Sequence, residues 1–64
     1  MLINGEEKAL AAPTTLASLL TQLGYRVALV AVERNGAIVK QADFAATTIT
    51  DTDKLEIVSF VGGG

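Results

Sequence analysis

Gly62-Gly63-Gly64 follows directly on the alternating apolar run Lys54-Leu55-Glu56-Ile57-Val58-Ser59-Phe60-Val61, so the residues best placed to do chemistry have no side chains. Glycine lacks a Cβ, and a run of glycines threads narrow clefts in backbone conformations closed to other residues. What such a tail carries is the α-carboxylate of Gly64. The expectation is that this backbone acid is the working group, delivered by a strand to the active site of another macromolecule, with Gly62 and Gly63 as the threading segment. The competing reading is a frayed end without function, because termini order poorly unless something ties them down.

Side-chain chemistry offers no alternative. Cysteine and histidine are both absent, which removes disulfides, zinc sites built on thiolate or imidazole, and the commonest general base. Asp51-Thr52-Asp53 begins like a calcium loop, yet the pattern needs a glycine at its sixth position and a glutamate at its twelfth, and Glu56 and Gly62 stand there. It reads as a solvated turn. Glu6 and Glu7 cannot share a proton, because neighbours on a strand point to opposite faces. The terminal glycines do not form a phosphate loop, since neither a lysine nor a helix follows to complete the cradle. The chain therefore reads as no enzyme, with no bound cofactor and no metal.

Composition narrows the class further. Sixty-four residues make a single small domain, residues 1–64, ending in a tail expected to be flexible over 61–64. A net charge of −2 with five basic residues gives no concentrated basic footprint for nucleic acid. Half the residues are hydrophobic, too many for a disordered chain. The longest apolar run, Val27 to Val32, falls far short of the roughly 20 residues a membrane helix requires. The N-terminus turns polar at Asn4 and charged at Glu6, unlike a secretory leader. A cytoplasmic protein without membrane contact is expected.

The elements that must position the tail are legible from punctuation. Met1-Leu2-Ile3 enters the turn Asn4-Gly5, with Lys8-Ala9-Leu10-Ala11 as the expected returning strand. Pro13-Thr14-Thr15 ends it and offers hydroxyl caps. Leu16, Leu19, Leu20 and Leu23 then recur on one helical stripe, closed by Gly24, which predicts a helix from about Thr15 to Leu23. A second hairpin is predicted from Ala28–Glu33 and Ala37–Lys40 around Asn35-Gly36. Gln41–Phe44 reads as a 3₁₀ or irregular turn with Phe44 plugging the core, Thr47–Asp53 as a polar connection anchored by Ile49, and Lys54–Val61 as the last strand.

One helix covers one face of a sheet, so the order ββαββ predicts a two-layer α+β domain with a mixed four- to five-stranded sheet. Strand alternation then divides the last strand. Leu55 and Ile57 go to the core with the leucines, and Val58 and Phe60 go to the uncovered face beside Val61. An exposed apolar cluster on a small protein marks a contact surface.

With Thr14-Thr15-Leu16 opening the helix, Val32–Val39 as second hairpin, Asp53–Val58 as last strand and Phe60-Val61-Gly62-Gly63-Gly64 at the end, the whole chain resembles the ubiquitin-like β-grasp sulfur carriers, and most of all the ThiS family of thiamine biosynthesis. The resemblance implies a cycle acted on by other proteins. An E1-like adenylating enzyme uses Mg-ATP to activate the Gly64 carboxylate, a persulfide donor such as a cysteine desulfurase supplies sulfur, and the resulting thiocarboxylate serves a thiazole synthase. The small subunit of molybdopterin synthase uses the same terminal chemistry and is the alternative of that kind. A protein-tagging modifier and a plain β-grasp interaction module are the others.

Ordering residues 61–64 in a cleft costs about 4–8 kcal/mol at about 1–2 kcal/mol per residue. Burying Val58, Phe60 and Val61 returns about 1.5–3 kcal/mol each, a total of similar size. The tail is therefore expected to supply the reacting group and the bare sheet face the affinity.

Overall fold

The computed structural model describes residues 1–60. Its elements are β1 (Leu2–Ile3), β2 (Glu6–Glu7), β3 (Thr14–Thr15), helix α1 (Leu16–Gln22), β4 (Val30–Arg34), β5 (Ala37–Val39), β6 (Thr48–Ile49) and β7 (Lys54–Ser59), with 3₁₀ turns at Val27–Leu29 and Gln41–Ala46. The main sheet has the order β2-β1-β7-β4-β5, in which β1 runs parallel to β7 and the other neighbours are antiparallel. A β-grasp arrangement with a mixed five-stranded sheet and one main helix results. β3 and β6 add a small antiparallel pair that the sequence pattern did not announce.

Both hairpins turn on Asn-Gly. Asn4 and Asn35 have φ of 51° and 52°, and Gly5 and Gly36 have φ of 81° and 85°. Positive φ at both central positions matches the twist of a two-residue turn to that of the strands, and it needs residues that tolerate the left-handed region. The first turn also corrects the expected partner strand. Two turn residues place Glu6 opposite Ile3, so the return begins at Glu6–Glu7 and only Lys8 of the expected Lys8–Ala11 segment pairs, through its N–H to the Met1 carbonyl. Glutamates fit there because this is a short outer strand facing water, where charge discourages further pairing.

Helix α1 begins where Thr15 accepts a hydrogen bond from the Ser18 N–H at 3.1 Å and ends with Leu23 as cap before Gly24 at φ 86°. Seven residues are too few for a stable isolated helix, which needs about 12–15. Burial of Leu16, Leu19 and Leu20 holds it to the sheet. They meet Ile3, Val30, Val32, Leu55 and Ile57 from the strands, with Phe44 and Ile49 closing the end as expected. Leu23 falls outside this core and is exposed, because the helix has ended beneath it.

The Asp51-Thr52-Asp53 turn is not simply solvated. Asp53 is 5% exposed; its carboxylate accepts from the Thr50 N–H and the Asn35 amide and forms an ion pair with Arg34, whose Nε lies 3.3 Å away. Burial pushes the Asp53 carboxyl up, and the two hydrogen bonds together with the Arg34 charge outweigh it, leaving the carboxyl below its ordinary range. Asp51 accepts from the Leu10 N–H at 2.9 Å and from the Met1 ammonium at 3.1 Å, and both hold it below the ordinary 3.8. The same Asp51 hydrogen bond raises the Met1 ammonium above its ordinary 8.0, against the opposing effect of desolvation.

These shifts have definite signs. A carboxyl depressed by folding contributes stability that is present above 3.8 and lost as pH falls through its folded value, whereas an amine raised above 8.0 contributes stability that is present below 8.0 and lost as pH rises through its folded value. Thermal melts should therefore show a plateau between those limits with a decline on each side. Asp51→Ala should lower the plateau and flatten the alkaline limb, because the ammonium loses its main partner. An alkaline limb as steep in the variant as in the parent would contradict the assignment.

Candidate functional site

The strand that leads to the glycine tail lies at the centre of the sheet. On one flank Leu2 and Ile3 of β1 pair with Lys54 and Leu55, and on the other Val30 to Arg34 of β4 pair with Ser59 back to Leu55. The last described backbone bond runs from the Phe60 N–H to the Leu29 carbonyl, 2.8 Å. Val61, Gly62, Gly63 and Gly64, expected to form the tail and part of the interface, lie outside the described residues.

Alternation along β7 divides its side chains as the residue pattern predicts. Leu55 and Ile57 are buried against the helix layer, while Val58 and Phe60 are 60% and 64% exposed. The register adds residues that sequence reasoning missed. Val58 sits opposite Ala31, and one row along, Glu56 sits opposite Glu33, which in turn faces Ile38 on β5. Ile38 is 79% exposed, the barest large apolar side chain among the described residues. The uncovered face is thus an apolar strip of Ile38, Ala31, Val58 and Phe60 interrupted by a carboxylate pair. The signal for Ile38 was present in the two-residue Asn35-Gly36 turn, which fixes Glu33 opposite Ile38 once Val30 and Val32 are placed inward.

Glu33 and Glu56 occupy directly opposed positions, where like charges repel across the strands. None of the ion pairs among the described residues involves either glutamate. The face is therefore built at some expense to the isolated domain. No cluster of potential metal ligands occurs among the described residues.

Two asparagines tie this strand to the turns. The Asn35 side chain donates to Asp53 Oδ1 at 2.9 Å and accepts from the Lys54 N–H at 2.9 Å. The Asn4 side chain accepts from the Ile57 N–H at 2.7 Å and donates to the Ile57 carbonyl at 3.2 Å.

The ThiS family model matches residues 1–64. The chain belongs to the ThiS family. Among similar solved structures is that of the thiamine biosynthesis protein (ThiS) from Geobacter metallireducens, with a TM-score of 0.82 and 32% identity, covering 98% of this chain and 96% of that one. Among relatives, the thiazole synthase of Paramagnetospirillum magneticum is 48% identical over 64 residues, the whole of this chain and 20% of that protein. The thiazole synthase of Magnetococcus marinus is 44% identical over 62 residues, 97% of this chain and 19% of that protein. The chain thus spans about one fifth of the length of these two relatives, while it matches the Geobacter ThiS protein nearly end to end.

The exposed ThiS face should tolerate change without loss of fold. Phe60→Asp should leave the unfolding free energy measured in urea nearly unchanged, within about 0.5 kcal/mol, as for surface substitutions generally. Glu56→Lys should raise it, because an opposed like-charge pair becomes an attractive one. A large loss of stability in Phe60→Asp would mean that the side chain belongs to the core.

Proposed function

We propose that this ThiS-family chain is a sulfur carrier, in which the Gly64 carboxylate is the group that is activated and loaded and the bare sheet face is what partners hold. The observation that carries the reading is the division of β7, which buries Leu55 and Ile57, exposes Val58 and Phe60, and runs on in sequence to the glycines. Membership of the ThiS family and similarity to a thiamine biosynthesis protein support it.

The chemistry follows from the electrophilicity of the acid. A carboxylate resists nucleophiles, so an adenylating partner first lets a Gly64 oxygen attack the α-phosphorus of Mg-ATP, releasing pyrophosphate and forming an acyl adenylate. The terminal sulfur of a cysteine persulfide then attacks the acyl carbon and AMP leaves. A second thiol attacks the cysteine-derived sulfur of the acyl disulfide, leaving the thiocarboxylate on Gly64 and a disulfide on the thiols. The soft anionic sulfur is then passed to thiazole formation. Two relatives named thiazole synthases contain this unit within a longer chain, which supports a thiazole synthase as the consuming partner. The domain itself supplies no catalytic side chain and works where ATP and persulfide donors are found, in the cytoplasm.

Gly62 and Gly63 lead the carboxylate through the partner's cleft, while Val58, Phe60 and Val61 supply affinity. ATP–pyrophosphate exchange by the adenylating enzyme tests both halves. The parent chain should stimulate exchange, and a chain lacking Gly64 should not. Phe60→Asp should do so only at much higher concentration, about ten-fold or more, since about 1.5–3 kcal/mol of burial is lost. Stimulation by the chain lacking Gly64 equal to that of the parent would reject the reading.

A further inference from the structure

The parallel partner of β7 ends early. β1 covers only Leu2 and Ile3, and its last backbone bond to β7 runs from the Asn4 N–H to the Leu55 carbonyl at 2.9 Å. The chain then turns away at Asn4-Gly5, so no further β1 backbone is available for Ile57. Its N–H and carbonyl are met instead by the Asn4 side chain, at 2.7 and 3.2 Å. A primary amide has one acceptor and a donor in a single plane, so it reproduces what a further strand residue would have offered.

We propose that Asn4 is a positioning residue for carrier loading. Its amide extends the β1 flank by one residue, fixes β7 at Ile57, and so sets the direction in which the chain leaves the sheet after Phe60. The proposal rests on the reading that the chain after Phe60 carries the reacting group. The opposite flank is held to the end by Val30 beside Ser59 and by the Leu29 carbonyl on the Phe60 N–H. With Asn4 gone, the strand end is gripped from one side only, and it can swing about that flank. Asn4 takes no part in the exposed strip of Val58, Phe60 and Ile38, so loss of its amide leaves docking intact while the docked tail finds the active site less often.

Two substitutions separate this role from the turn. Asn4→Gly keeps a residue at ease with φ near 51° and deletes the amide. Asn4→Asp keeps the shape and replaces the donor by an oxygen that repels the Ile57 carbonyl. With the full chain as substrate of the adenylating enzyme, both variants should lower kcat about five-fold, the factor equivalent to one net hydrogen bond, while KM stays within about two-fold. Hydrogen exchange at the Ile57 and Phe60 amides should accelerate by a similar factor, with Val32 unaffected. A purely structural role would raise KM or slow the reaction only through loss of folded protein. Unchanged kcat alongside faster exchange at Ile57 overturns the proposal, and so does unchanged exchange at Ile57 and Phe60. A chain lacking Gly64 runs in parallel. If it reacts like the parent, the carrier reading has failed, whereas the exchange data still decide whether Asn4 holds the strand.

Discussion

β7 is hydrogen-bonded on both flanks, by β1 running parallel and by β4 running antiparallel, and the rest of the molecule is arranged around that fact. A central strand cannot slip by one residue without carrying Leu55 and Ile57 out of the core and forcing Val58 and Phe60 into it, so its register is strongly specified. The two Asn-Gly turns reinforce the register from either end through side-chain amides on Lys54 and Ile57. Helix α1 needs this sheet as much as the sheet needs cover, because seven residues do not make a stable helix alone.

A single helix leaves the other sheet face without a layer. On it the domain keeps Ile38, Val58 and Phe60 in water and sets Glu33 directly against Glu56, neither of which helps an isolated molecule. Both features make physical sense on a surface that spends part of its life against another protein. Meanwhile the domain has neither cysteine nor histidine, and its shifted carboxyls are all spent on internal ties. On the proposed function, the reacting group belongs to the chain beyond Phe60 and the body acts as a handle.

Much of this was legible in the residues. Asn-Gly located both turns, the leucine spacing located α1, and the alternation of Lys54–Phe60 correctly assigned core and bare faces. What was not legible depended on contacts between distant residues. The first returning strand starts at Glu6 because turn geometry outranks apolar content on an edge. Asp53 looked like a loop residue because its partners, Asn35 and Arg34, lie some twenty positions away in another hairpin. Asn4 reads as nothing more than a turn former until Ile57, 53 residues on, is seen against its side chain. Ile38 was the avoidable omission, since a two-residue turn already fixes which face it shares.

The central claim is that the reacting atom belongs to the Gly64 backbone acid and to no side chain. Intact-mass measurement of the chain after incubation with Mg-ATP, the adenylating enzyme, a persulfide donor and a reducing thiol tests it most directly, with fragmentation to locate the change. The account predicts the exchange of one oxygen for one sulfur, confined to Gly64. An unchanged mass with partners proven active on another carrier, or sulfur found on any residue other than Gly64, would contradict it.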